Sequence, residues 1–229
     1  MNAIASELFC DDLDAVVLAG LAGIDLPKVN EASELEIVDW YLGVLERRRG
    51  LEHGAIEVLA TIETLAGLAN VDAIAAASRR TRALCFGAGD FSLDLELDWP
   101  PATSGLSHTV LTAKVSVVLA ARRHGLKPHD GAFPDFRDRT GLRAEAEQSR
   151  ALGFSGKHAI HPSQLPILSD VFTPTEDAVA RSREIVAAFE QSATEGSAAT
   201  QLDGRLIDAP VAAGARRLLE VAGDEAPRT

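Results

Sequence analysis

The sequence predicts an α/β fold built around a parallel sheet, and three observations carry that prediction. Short β-capable runs alternate with stretches of helical periodicity, at intervals of roughly 30 to 40 residues, as in successive βα units. The chain has 229 residues and an ordinary globular composition, enough for one sizeable core, and α/β barrels often reach this length as a single domain. Finally, a β-capable run at His158-Ala159-Ile160 stops abruptly at His161-Pro162. Proline cannot donate to a sheet ladder, and a strand that hands over to a turn is how a parallel sheet presents a ligand site at its carboxyl edge.

The elements follow in order. Residues 23–29 read as a buried strand stopped near Pro27. Residues 32–49 have helical periodicity, with Ser33 placed to cap and Glu36 to complete a capping box. Residues 56–62 form a strand, 71–78 an alanine-rich helix, 82–87 a strand and 109–124 a long helix. A strand is expected over 130–133, a helix over 141–152 and the last strand over 157–160. Ser163 then stands at an N-cap position before an apolar run. Thr173-Pro174-Thr175-Glu176 caps a helix over 176–191. Residues 192–200 are small and polar, a hinge-like linker, and 204–220 read as a turn and a short helix before a frayed tail. The expected division is therefore 1–191 for the α/β unit and 192–229 for a linker and lid-like helical segment.

Bulk properties narrow the function. A net charge of −12 argues against a nucleic-acid or anionic membrane surface. The two cysteines, Cys10 and Cys85, make neither a disulfide framework nor a zinc motif, and read as buried thiols in a reducing cytosol. No signal peptide or membrane-spanning run occurs, so the expected location is cytoplasmic.

Two carboxylates stand where chemistry is expected. Glu63 ends one strand and Asp90 follows the next, 27 residues later, so consecutive parallel strands would set them side by side. With substrate oxygens and water they would complete the oxygen-rich shell that Mg2+ prefers. On residue type alone either acid also serves as a cap, Glu63 of a loop and Asp90 of a helix. Gly87-Ala88-Gly89 lets backbone amides approach a small carboxylate closely. The acidic run 94–98 reads as a solvated face rather than a second metal site. Lys28, Arg122, Arg123 and Lys127 have ordinary surface or helix-end explanations, and His161 could simply hold its turn.

Four stretches together resemble one family. They are Ile62-Glu63-Thr64-Leu65-Ala66-Gly67-Leu68, Phe86-Gly87-Ala88-Gly89-Asp90-Phe91, Gly156-Lys157-His158-Ala159-Ile160-His161-Pro162-Ser163-Gln164 and Gly204-Arg205-Leu206-Ile207-Asp208-Ala209-Pro210. In that order they are similar to the citrate lyase β-subunit-like (HpcH/HpaI aldolase/citrate lyase) family, which includes citryl-CoA, malyl-CoA and β-methylmalyl-CoA lyases. The resemblance implies a TIM-type (β/α)8 barrel with a small C-terminal helical extension. It implies Glu63 and Asp90 as ligands of Mg2+ (Mn2+ possible), and Gly87, Ala88 and Glu63 as substrate contacts. Lys28, Ile160, His161 and Pro162 would line the coenzyme A arm. Asp208 would be catalytic, on a segment that covers a neighbouring subunit's site in a homo-oligomer, a trimer or hexamer. Where the family usually has an acid, this chain has Gly89.

Five strands are legible where a closed barrel needs eight. Asn2-Ala3-Ile4 resembles the tail of the family's third strand, and the arginine that normally opens that motif, with the first two strand motifs, is missing. The expectation is an N-terminally incomplete barrel, through a misplaced start codon or as a truncated paralogue, with exposed edges that a partner must cover. The expected activity is Mg-dependent retro-aldol cleavage of a β-hydroxyacyl-CoA into a keto acid and acetyl-CoA. The competing expectations are a catalytically impaired paralogue that binds acyl-CoA or a full-length partner, and a free-aldehyde aldolase of the same superfamily.

Overall fold

In the computed structural model, residues 1–99 and 107–223 are described. They divide into two compact units, Met1–Leu168 and Ser169–Thr229. The boundary thus falls before the helix that the sequence reading kept with the barrel, and residues 224–229 of the expected tail lie outside the described residues.

The first unit runs α1 (Phe9–Val16), β1 (Gly23–Leu26), α2 (Ala32–Arg49), β2 (Glu57–Ile62), α3 (Leu65–Ala69), α4 (Val71–Ala76) and β3 (Thr81–Phe86). It continues with α5 (Ala88–Asp94), α6 (His108–Arg123), β4 (Lys127–Asp130), α7 (Arg139–Leu152) and β5 (Gly156–Lys157). A 3-10 turn over Pro162–Gln164 leads into α8 (Leu165–Phe172), which crosses the unit boundary.

The five strands form one parallel sheet in the order β1-β2-β3-β4-β5. Neighbours in sequence are neighbours in space throughout, as in the wall of a (β/α) barrel; a doubly wound sheet would reverse direction part-way. The curvature is large enough for side chains of the two edge strands to meet, with Asp25 Oδ2 lying 3.9 Å from His158 Nδ1. The fold is therefore an open arc of the expected barrel. Its apolar core is built from strand residues such as Leu26, Val58, Ala60, Leu84 and Phe86, with Leu35, Val38, Leu42, Val117 and Ala121 from the helices, all buried.

Local chemistry explains most boundaries. α2 starts and stops where its periodicity predicts, and Gly50, at φ +68°, closes it in the left-handed conformation that glycine tolerates. Its cap is different from the one expected. Glu31, in extended backbone, is the N-cap and Glu34 completes the box, with Glu34 Oε2 accepting from the amides of Asn30 and Glu31 at 2.6 and 3.1 Å. Ser33, already helical, cannot cap.

Other strand ends differ from expectation for tertiary reasons. β4 spans Lys127–Asp130, not 130–133, because the chain leaves the sheet at Gly131, which packs so tightly that an added Cβ would lie 2.5 Å from Phe86 O. β5 shortens to Gly156–Lys157. His158 N still donates to Asp130 O at 2.9 Å, but Ile160 N turns to the buried Gln164 Oε1 at 2.9 Å. His161, not Ser163, caps the following turn, its ring nitrogen accepting from Ser163 N at 3.1 Å. Asn2-Ala3-Ile4 is not a strand. Asn2 instead donates to Asp12 Oδ2 from its backbone and side chain, at 2.7 and 2.8 Å. Cys85 is buried as expected, whereas Cys10 is exposed.

The second unit contains α9 (Glu176–Thr194), the hairpin β6 (Thr200–Leu202) and β7 (Arg205–Ile207), and α10 (Ala209–Val221). Thr175 caps α9 by accepting from Ala178 N at 3.2 Å. Val186, Ala215 and Leu219 form its small core. Residues 192–194 of the expected linker are helical, and Thr200 opens β6. The hairpin turn uses Asp203 and Gly204, both at positive φ, which propensity alone had rendered as a plain turn.

Candidate metal and substrate site

Glu63 is the first residue beyond β2, and Gly87, Ala88 and Asp90 follow β3 at the same carboxyl edge. The adjacent parallel strands are paired up to Ile62 and Phe86, so both acids follow the sheet at its carboxyl edge. Glu63 is buried, 8 % exposed, yet its polar contacts are few. Its Oε1 accepts from Lys28 N at 2.9 Å, and Lys28 adopts φ +54° to aim that amide. A non-glycine residue held in the left-handed region is uncommon and costs conformational energy, so the packing around the site must hold it there. Lys28 Nζ lies 3.3 Å from Asp90 Oδ1. Burial pushes the Glu63 carboxyl up to about 7; the Asp90 charge adds to this, and the Lys28 amide and ammonium oppose it only in part.

Two acids within electrostatic reach of each other share one half-exposed ammonium, that of Lys28. Among the described residues no three His, Cys, Asp or Glu side chains are grouped as a complete ligand set. Two carboxylates, with waters and substrate oxygens in the remaining positions, would suit a small hard cation. Mg2+ fits these donors. Gly87 completes the cradle: a methyl at its Cα would lie 2.6 Å from Glu63 Cβ and closer still to Oε2. Only glycine lets the β3 end come this near the carboxylate.

Below these groups is a cavity of about 250 Å3 whose lining includes Asp25, Thr61, Glu63, Cys85, Gly87 and His158. The other residues singled out from sequence are placed as follows. Ile160 is exposed after β5, and His161 stacks on Phe136 with ring centroids 4.7 Å apart, next to Pro162. Lys28 is at the carboxylate pair. Asp208, in the second unit, is the N-cap of α10, accepting from Val211 N at 3.1 Å. In the acidic run, Asp94 accepts from Leu65 N at 2.7 Å.

Sequence reasoning missed a buried ion cluster behind the cavity. Asp130 and Lys157 are register partners on β4 and β5. Lys157 Nζ donates to Asp130 Oδ2 (2.6 Å), Glu145 Oε1 (2.6 Å) and Gly131 O (2.7 Å), which uses all three of its hydrogens. Lys114 Nζ lies 2.9 Å from Asp130 Oδ1, and Ser149 donates to Asp130 Oδ2 at 2.6 Å. Burial works against the Asp130 charge, but Lys157 and Lys114 outweigh it and hold the carboxyl below its usual range. The cluster fixes Gly131, which contacts the cavity and packs on Phe86 and Gly87. Its signal in the sequence was a lysine inside a strand of a parallel sheet, which must find a buried acid.

Known proteins agree with this architecture. Residues 1–162 match the HpcH/HpaI aldolase/citrate lyase family. The L-malyl-CoA/beta-methylmalyl-CoA lyase of Rhodobacter capsulatus is 37 % identical, over 91 % of this chain and 70 % of its own. The citrate lyase subunit beta of Escherichia coli K12 is 33 % identical, over 96 % and 71 %. The CitE protein of Mycobacterium tuberculosis, solved with magnesium, acetoacetate and coenzyme A, superposes with a TM-score of 0.74 at 26 % identity, over 97 % of this chain and 76 % of that one. A citrate lyase structure from Burkholderia xenovorans has a TM-score of 0.83 at 21 % identity, covering 98 % and 72 %, and speaks for the fold. With its parallel barrel arc and family match over most of its length, the chain belongs to the HpcH/HpaI aldolase/citrate lyase family.

Proposed function

We propose that this protein is a Mg2+-dependent carbon–carbon lyase that splits a β-hydroxyacyl-CoA into a keto acid and acetyl-CoA. The observation that carries this reading is the Glu63–Asp90 pair, one acid buried and the other within electrostatic reach of it, sharing one ammonium at the carboxyl edge of the sheet. The relatives named malyl-CoA lyase and citrate lyase subunit beta, and the neighbour bound to magnesium, acetoacetate and coenzyme A, support the same class.

In the cleavage, the substrate's β-hydroxyl loses its proton and becomes the keto-acid carbonyl. The bond between the α and β carbons breaks, and its electron pair goes to the thioester α carbon, which then takes a proton to give acetyl-CoA. When bound, Mg2+ polarises the oxygen at which this charge changes. Glu63 and Asp90 hold the ion, and the backbone at Gly87 and Ala88 approaches the substrate carboxylate. Lys28, Ile160, His161 and Pro162 offer an ammonium, an apolar side chain and a flat stacked ring to the coenzyme A arm. Asp208, supplied by a second copy of this chain, would be the carboxyl that exchanges the proton with the α carbon.

The test is metal-dependent stability alongside release of free CoA thiol. Mg2+ or Mn2+ should raise the thermal midpoint of the wild type. Glu63→Gln and Asp90→Asn should each abolish both the shift and the thiol release. Metal stabilisation that persists in both variants would overturn the assignment.

A further inference from the structure

The cavity beneath Glu63 has a polar floor to which this reading gives no role. It is built across the sheet. Asp25 comes from β1 and His158 from the end of β5, the two edge strands, and their side chains approach to 3.9 Å. Thr61 of β2 donates to Asp25 Oδ1 at 2.7 Å. Cys85 Sγ of β3 lies 3.7 Å from His158 Nδ1, and His129 of β4, outside the cavity lining, meets the His158 ring edge-on at 6.0 Å. All five strands thus contribute to one layer. Interior layers of parallel barrels are ordinarily filled by branched apolar side chains, so packing does not call for a carboxylate, a hydroxyl, a thiol and two imidazoles.

The layer is not a nucleophile relay. Burial foremost, with the nearby Asp25 and Asp130 charges, pushes the Cys85 thiol far up, and Asp25 and Cys85 both face the same ring nitrogen of His158. What the arrangement does is orient the imidazole. Nδ1 is turned toward Asp25 and Cys85, and among the described residues Nε2 makes no hydrogen bond. The side chain is 34 % exposed and lines the cavity.

We propose that His158, oriented by Cys85, is a further substrate-binding residue, selecting ligands with a second oxygen-bearing group remote from the end held at Glu63 and Asp90. The inference rests on the keto-acid site proposed above. With the Cys85 thiol donating to Nδ1, Nε2 carries the ring hydrogen; a ligand ending in a methyl leaves that donor unmatched, whereas one ending in a carboxylate accepts from it. A site built around such a polar partner rejects analogues that lack it.

Pyruvate and oxaloacetate differ only by a carboxylate in place of a methyl hydrogen, so they are suitable probes. Each is titrated calorimetrically into the Mg2+-saturated protein, with Mg2+ binding measured separately. The wild type should bind oxaloacetate at least about tenfold more tightly than pyruvate. His158→Leu should bring that ratio close to one while changing pyruvate and Mg2+ binding by less than about twofold. His158→Gln, which keeps a side-chain donor, should retain part of the preference. An unchanged ratio in His158→Leu with Mg2+ binding intact, or no preference in the wild type, overturns the role of His158 alone. Absence of Mg2+ binding in the wild type overturns the metal site, and this proposal with it.

Discussion

Gly87→Ala tests the site with one methyl group. Gly87 has φ −88°, which alanine adopts freely, so the perturbation is steric and not a backbone strain. The new Cβ would lie 2.6 Å from Glu63 Cβ, and contacts under 3.0 Å are essentially not seen for real Cβ atoms, so the stem of Glu63 must retreat by about 0.4 Å. The stem is the stiff part of the side chain, and its shift carries the carboxylate with it. Mg2+ requires near-ideal octahedral geometry, so a displaced ligand weakens binding; a tenfold loss is about 1.4 kcal/mol. At a Mg2+ concentration of about 100 times the wild-type Kd, stabilisation by the ion should fall from about 2.7 to about 1.4 kcal/mol. For a chain of this size that is a midpoint rise of roughly 5–10 °C reduced to roughly 3–6 °C. Differential scanning calorimetry over a Mg2+ series, with the metal-free variant as its own baseline, measures both values. A Gly87→Ala protein whose Mg2+-dependent rise equals that of the wild type would refute the claim that Glu63 is held in its ligating position by the bare Gly87 backbone.

Three further outcomes are expected. Glu46 is fully buried; burial acts against its charge, but the Arg80 guanidinium and the amides of Gly54 and Ile56 win and hold its pKa down at about 2. A depressed carboxyl stabilises the fold above its unfolded value and stops doing so as pH falls. About 3 kcal/mol should therefore be lost between pH ~4.5 and ~2, and an acid titration of Glu46→Gln should lack that component. Lys157→Met should lower stability by about 3 kcal/mol or more, because Asp130 and Glu145 lose a buried partner, and urea unfolding should show it as a lower midpoint at unchanged slope. Asp208→Asn should leave thermal stability within about 0.5 kcal/mol, since asparagine caps a helix as well as aspartate does. It should nevertheless slow turnover by about two orders of magnitude or more if the carboxyl exchanges the proton, and unchanged turnover would leave Asp208 as a cap only.

The sequence by itself determined what depends on neighbours along the chain. Helical periodicity placed α2 at Ala32–Arg49, and alternating strand and helix gave a parallel sheet whose strands follow chain order. Glu63, one residue past the carboxyl end of β2, is placed by that strand itself, whereas Asp90 is placed by the first turn of α5. The tertiary structure decided whatever depends on partners far away in sequence. Asp25 meets His158 only because the sheet curls until its edge strands face each other. Lys114, Asp130, Glu145 and Lys157 balance their charges only when α6, α7, β4 and β5 are packed together. The shortened β4 follows from Gly131 packed against Phe86 O, and the Lys28 conformation from the Glu63 carboxylate that receives its amide. Periodicity and capping act over a few residues through backbone hydrogen bonds, and so can be read along the chain. Burial, close approach and charge pairing act through space, and the sequence alone does not say which side chains are brought together.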